Sequence, residues 1–204
     1  MSLLRKIASK PWEHAGEMDG VHGGYVVTRS AGQMGLWLFL AVISSMFSLF
    51  IISYYTRSQF PDWEMLVDPD ILWVNTAVLV LASIVLQLAS NAAKRDAVKP
   101  MRNFLVAGGL LTMMFVAGQL VAWEQLASAG FYARGNPAIA FFYLFTGIHA
   151  LHLLGGLWYM TILGFRLGRK KQQEKARRTV TLCATYWHYL LLVWLILFSL
   201  FLRT

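Results

Sequence analysis

Seven side chains of types able to do chemistry stand inside long apolar runs: Asn75, Gln87, Gln119, Glu124, His149, His152 and His188. Such groups are expensive in hydrocarbon, so they face other helices, handle protons or hold a metal. His149 and His152 lie three residues apart in FFYLFTGIHALHLLGGLWYM, residues 141–160, a spacing that brings them to one helix face. Bis-histidine haem ligation needs opposed imidazoles at one depth, and His188 is the only candidate on another span. At the helical rise of about 1.5 Å per residue, His188 lies roughly 12 Å and His152 roughly 17 Å from the same membrane boundary. There is no second pair for a second haem, and two histidines alone fall short of the three or four ligands of a metal site. Structural, ligating and proton-handling roles all stay open, and the depth mismatch favours the structural one.

The same arithmetic puts Gln119 roughly 11 Å and His149 roughly 13 Å in from the outer ends of their spans, which makes a hydrogen bond between them feasible. Glu124, one turn nearer the outside, is either hydrogen-bonded in its neutral form or paired with a cation such as Arg134. It is the best single candidate for a functional ionisation. No phosphate loop, paired catalytic carboxylates or Ser–His–Asp order is present, so catalysis by this chain alone is not expected.

The elements that must position these residues are read from composition. Of 204 residues, 57% are hydrophobic and only 14% charged, against about 25% charged in soluble domains. A membrane-crossing helix needs about 20 mostly apolar residues. Five stretches meet that length, at about 33–54, 71–89, 104–126, 140–163 and 180–202. The fold class expected is all-α: an integral membrane bundle of five transmembrane helices over 33–202, preceded by a cytoplasmic N-terminal segment, 1–32. The first long apolar run begins only near Gly32, so no cleavable leader is expected. Pro61, Pro69 and Pro137 fit turns and helix starts. Cys183 has no second cysteine to pair with in the chain.

The net charge of +8 would suggest nucleic acid in a soluble protein. Here fifteen of the 18 Lys and Arg fall in the N-terminal segment and the second and fourth connections, on one side of the five spans. Arg57, Arg134 and Arg203 fall on the other side, beside Asp62, Glu64, Asp68 and Asp70. The bias places the N-terminus in the cytoplasm and the C-terminus outside, and membrane topology then accounts for the charge without nucleic acid. Trp63, Trp73 and Trp123 fall near the outer boundary, where aromatic anchors sit. Gly108, Gly109, Gly118, Ala122, Gly147, Ala150, Gly155 and Gly156 let helix backbones approach closely, so spans three and four read as protein-facing. Much of the first span is free to face lipid or a partner.

Five stretches carry a family likeness: GLWLFL at 35–40, NTAVLVLAS at 75–83, GQLVAWEQL at 118–126, the 141–156 stretch, and YWHYLLLVWLILF at 186–198. Together they cover all five spans. Phe141, Phe142, Leu144, Thr146, Gly147, His149 and His152 meet the pattern FFxLTGxHxxHxxxG, with Phe145 directly before the threonine. Gln119 with Glu124 is similar to a Q-x-x-x-E segment, allowing one extra residue. In these features the chain resembles subunit III of the haem–copper respiratory terminal oxidases, in its five-helix form. One departure stands out: the family commonly reads WLFLxSE in the first of these helices, and here Ile43 occupies the glutamate position. That departure leaves a subunit-III-like accessory protein of nitric oxide reductases as a sister reading.

The resemblance implies a non-catalytic subunit of a bacterial oxidase in the inner membrane, in contact with catalytic subunit I. It implies bound phospholipid in a cleft between helices and support of proton uptake while oxygen is reduced to water. No haem, copper or other metal is implied in this chain; those belong to partner subunits, and either quinol or cytochrome c could be the electron donor. Gln119, Glu124, His149, His152 and His188 would then form a structural or proton-handling polar cluster. Trp63, Trp73, Trp123 and Arg134 would form the lipid interface. Two rivals come from other classes: a haem-binding membrane anchor of a dehydrogenase, and a small transporter, which lacks the expected broken helices or repeat symmetry.

Overall fold

The computed structural model describes residues 31–63, 70–132, 135–167 and 173–203. The segment 1–32 therefore lies almost wholly outside the described residues, as do Glu64, Asp68 and Arg134. Five helices follow one another: α1 (Ala31–Arg57), α2 (Ile71–Lys94), α3 (Val98–Ser128), α4 (Pro137–Leu167) and α5 (Gln173–Phe201). Each is long and apolar enough to cross a membrane, and no strand occurs among the described residues. The all-α bundle expected from the sequence is what forms. Hydrocarbon offers the backbone no hydrogen-bond partner, so only a helix satisfies its N–H and C=O groups within one segment. Each helix begins before its predicted span or ends beyond it. Apolar composition marks the membrane, whereas the hydrogen-bond ladder continues into polar residues until a cap stops it.

The ends are built from local chemistry. Asn136 caps α4, its Oδ1 accepting the Ala138 N–H at 2.8 Å, and Pro137 takes the first helical position, where no N–H is needed. The α2 and α3 termini use the same reversal. Asp96 (φ 58°) and Gly130 (φ 85°) adopt the left-handed conformation. The following N–H then reaches back, Ala97 to the Ala92 carbonyl and Phe131 to the Leu126 carbonyl, both at 3.0 Å. The Asp96 carboxylate also meets the Arg177 guanidinium, tying the α2–α3 turn to the start of α5. At the opposite end Arg57 grips Asp62 through two bonds of 2.7 and 2.5 Å, and the guanidinium holds the Asp62 carboxyl below its ordinary range.

Helices α2, α3, α4 and α5 close a ring, each packed against the next and α5 against α2, while α1 lies outside it against α4 and α5. The buried residues of the ring follow alternating three- and four-residue steps. On α2 they are Leu72, Asn75, Leu79, Ala82, Leu86, Ala89 and Ala93. On α5 they are Cys183, Trp187, Leu190, Trp194, Leu197 and Phe201. α3 runs Met101, Leu105, Gly108, Thr112, Phe115, Gln119, Ala122 and Leu126; α4 runs Phe142, Thr146, His149, Leu153, Gly156, Met160 and Leu163. A seven-residue repeat of this kind is the seam of left-handed bundle packing. α2 and α3 are the most intimately packed pair, because Gly118 admits Asn75: a Cβ at residue 118 would lie 2.0 Å from Asn75 Oδ1. α1 presents Trp37, Leu38, Val42, Leu49 and Ile52 outward, as expected of the first span.

Candidate functional site

Seam position decides where each polar side chain goes. Asn75, Gln119 and His149 occupy seam positions and are buried inside the ring, with 4%, 2% and 0% of their surface exposed. His149 lies against aromatic rings, 5.3 Å from Trp194 and 6.0 Å from Phe115 between centroids. The feasible Gln119–His149 hydrogen bond does not form: both His149 nitrogens, both Gln119 side-chain atoms and Asn75 Nδ2 have no partner among the described residues.

His152 goes elsewhere. Three helical steps leave it about 60° around α4 from His149, enough to turn one ring inward and the other toward α1. There it lies 5.9 Å from Phe47 and 6.4 Å from Phe39. Its Nδ1–H donates to the Ile148 carbonyl at 2.8 Å, and the Tyr186 hydroxyl donates to the His152 carbonyl at 3.0 Å. His152 lines a cleft of about 560 Å³ between α1, α4 and α5, walled by Gly35, Phe39, Gly155, Gly156 and Tyr186. The walls are mainly apolar. Gly155, counted from sequence among helix-packing residues, instead opens this cleft: nothing lies within 4 Å of where its Cβ would be.

His188 is exposed, not interior, because it follows the seam residue Trp187 by one position. It joins a chain of side chains between α5 and α2. The Ser83 hydroxyl meets Nδ1 at 2.5 Å, Nε2 meets Gln87 Oε1 at 2.9 Å, and Gln87 Nε2 donates to Asn91 Oδ1 at 3.2 Å. Since the Gln87 amide nitrogen is used toward Asn91, its oxygen accepts from His188 Nε2–H, and Nδ1 accepts from Ser83. His188 thus bonds to α2 and His152 packs on α1, so the two imidazoles do not oppose one another. No group of three or more His, Cys, Asp or Glu occurs among the described residues.

Glu124 is exposed on α3, also off the seam, and Arg134, its expected cation, lies outside the described residues. The five polar residues named from sequence therefore occupy four places: Gln119 and His149 inside the ring, His152 at the cleft, His188 on the α2–α5 face and Glu124 on the outside of α3. Of the tryptophans, Trp63 packs edge-on to Tyr54 at 4.8 Å, and exposed Trp73 packs edge-on to Phe198 at 4.8 Å. Trp123 is half-buried and bonds to a neighbouring helix.

Three indoles share one device that residue type and spacing alone do not announce. Trp123 Nε1 donates to Thr146 Oγ1 at 3.0 Å, Trp187 Nε1 to Thr112 Oγ1 at 3.0 Å, and Trp194 Nε1 to Thr76 Oγ1 at 2.9 Å. Each threonine hydroxyl in turn donates to the carbonyl four residues back, at 2.7 to 2.9 Å. That leaves a lone pair free for the indole N–H, and the bridges join α3 to α4, α5 to α3 and α5 to α2. Thr112 and Thr146 stand on seams, which is the signal that could have singled them out. Ile43, which the resemblance set against a family glutamate, is buried at 2% exposure within the apolar core.

Comparison with known proteins adds a second line. The family model described as cytochrome c oxidase subunit III matches residues 8–203. Cytochrome c oxidase subunit 3 of Thermostichus vulcanus is 28% identical over 172 residues, 82% of this chain and 84% of that one. The probable cytochrome c oxidase subunit 3 of Mycobacterium tuberculosis is 32% identical over 124 residues, 61% of each chain. The cytochrome bo(3) ubiquinol oxidase subunit 3 of Pseudomonas aeruginosa is 22% identical over 204 residues, 97% of this chain and 95% of that one.

Proposed function

The chain belongs to the cytochrome c oxidase subunit III family, and from that membership we propose that it is a non-catalytic accessory subunit of a bacterial terminal oxidase. The single observation that carries the reading is the family match over residues 8–203, which takes in all five helices. Oxygen reduction and proton pumping then take place in partner subunits that hold the haems and copper, chief among them subunit I. The divided placement of His149, His152 and His188 supports this, since it offers no opposed pair to carry electrons. Donor choice, quinol or cytochrome c, rests with other subunits, as relatives named for both donors align with this chain.

The cleft between α1, α4 and α5 suits phospholipid acyl chains, being walled by glycines and aromatic rings. The buried polar groups and Trp–Thr bridges give a stiff body to brace a neighbouring membrane subunit. Such a brace supports rapid proton delivery; slow delivery leaves reactive oxygen intermediates standing at the metal centre, where side reactions inactivate it. With Ile43 in place of a glutamate, that support runs through lipid packing or Glu124. Glu124, His149, His152 and His188 serve structure or proton handling in this reading, and Trp63, Trp73 and Trp123 serve the lipid boundary. The protein sits in the inner membrane with its N-terminus cytoplasmic, by the distribution of basic residues.

The test compares oxygen consumption over many turnovers with and without this chain. Initial activity should survive its removal while working life shortens. Activity lost from the first turnover, or an unchanged lifetime, overturns the protective role. An absorption spectrum of the isolated chain provides a second check: a Soret band that disappears in His152→Ala would make it a haem protein.

A further inference from the structure

We propose that the ring holds bound water at the level of His149, shared by Asn75, Gln119 and His149 as a bridge between α2, α3 and α4. The inference goes beyond the accessory-subunit reading and does not depend on it. Contacts fix the level of the three residues. Trp123 bonds to Thr146 and Gly109 faces Met160, so α3 and α4 run antiparallel in a register that sets Gln119 beside Ala150. His149 is one residue from that point, about 1.5 Å along the helix. On the other side of α3, Asn75 packs directly on Gly118, the residue before Gln119. Three seam residues from three helices therefore share one layer, closed toward α5 by the Trp194 ring, 5.3 Å from His149.

The polar atoms of this layer need a partner that the protein does not give them. Asn75 Nδ2, Gln119 Nε2 and Oε1 and both His149 nitrogens are buried and bond to nothing among the described residues. A buried donor or acceptor left unmade costs its full desolvation, whereas a bridging water costs only its own immobilisation. The set is mixed: two amide nitrogens and one imidazole nitrogen donate, while Gln119 Oε1 and the other imidazole nitrogen accept. Water, with a pair of hydrogens and a pair of lone pairs, suits such a set. A metal cation would meet N–H donors, and an anion would meet acceptor lone pairs. No acid, lysine or arginine is buried among the described residues to balance either charge.

Room is found at the same level. Asn75 and Gln119 keep 4% and 2% of their surface open, whereas Leu72, Leu79, Phe115 and Ala122, the seam residues above and below, keep none. A buried water needs about two to four polar partners, and this layer offers them from three sides. The position also has a structural use. α3 and α5 stand opposite one another in the ring and are joined across it by Trp187 and Thr112. α2 and α4 are the other opposed pair and do not pack on one another. Water between Asn75 and His149 supplies their tie.

The experiment is water-edited solid-state NMR on the full chain in phospholipid bilayers, with isotope-labelled nitrogen throughout. Magnetisation passed from water should reach the side-chain nitrogens of Asn75, Gln119 and His149. It should leave at background the backbone nitrogen of Leu86, buried on the same α2 seam and bonded within its helix. Transfer to fewer than all three residues overturns the shared site; a direct Gln119–His149 bond without water transfer is one such outcome. Gln119→Met keeps the length of the side chain and removes both polar atoms. It should lower transfer to Asn75 and His149 to the Leu86 background with helix content unchanged. Transfer to Asn75 that persists in Gln119→Met shows that water reaches it by another route and overturns the bridge. If that variant does not fold, the measurement on the unmodified chain decides alone.

Discussion

At the scale of single residues, three indole-to-threonine hydrogen bonds tie helices of the ring together. An indole N–H is a donor with nothing to accept in its place, so each buried tryptophan needs one acceptor. The back-bonded threonine supplies it without exposing its own hydrogen. Thr112→Val keeps the shape and removes the acceptor, leaving the Trp187 N–H orphaned in a fully buried site. A loss of about 1–3 kcal/mol is expected in denaturant titration of the chain in detergent. Trp187→Phe combined with Thr112→Val should recover part of it, since no orphan donor remains. An unchanged midpoint for Thr112→Val would show that the bridge adds nothing. Gly118→Ala makes a steric test of the same region: its methyl would collide with Asn75, costing about 1–3 kcal/mol, and Asn75→Ala in the same chain should relieve most of the cost.

At the scale of elements, the seven-residue seams set which face of each helix turns inward, and the left-handed turns set where α2 and α3 stop. Gly130 and Asp96 do the same geometric work with different residues. Glycine adopts the conformation freely, whereas Asp96 tolerates it and uses its carboxylate to hold Arg177. Gly130→Val should therefore destabilise the chain by about 1–2 kcal/mol, while Asp96→Gly should spare the turn and lose only the tie to α5. Thermal unfolding of the two variants separates these effects; equal losses would mean that conformation is not what matters at residue 130. α1 stands apart as the lightly held element. Its link to α5 includes the Ser44–Tyr189 hydroxyl contact at 2.7 Å, and it forms one wall of the cleft.

For the whole molecule, orientation follows from where the charges lie. Reporters fused after Arg95 or Lys171 should remain cytoplasmic, and those after Asp68 or Gly135 should be exported. Cytoplasmic retention of the second pair would overturn the five-span arrangement. Asp62 neutralises Arg57 at the end expected outside, so the positive charge there is weaker than the count of three arginines suggests. Asp62 is exposed and Arg57 only half-buried, and a pair so open to water adds little to stability.

The sequence by itself determined the five helices, their order, the family and the sidedness of charge. Each depends on a sum over a segment: about 20 apolar residues, a bias of fifteen basic residues in 18, five motifs in order. Sums of that kind survive ignorance of contacts. The placement of individual polar groups did not survive it. Depth alone put Gln119 level with His149 and left His188 grouped with the interior, because depth fixes height along a helix and says nothing of rotation about it. One position beyond a seam residue is a turn of about 100°, which sends His188 outside while Trp187 stays buried. Three positions separate His149 from His152, and the remaining 60° is enough to give one to the ring and the other to α1. The seams were present in the residue spacing, but the α2–α5 contacts that make His188 a link rather than a core group belong to the packing. Which helix stands beside which, and at what rotation, is settled only when side chains such as Asn75 and Gly118 must fit the same space.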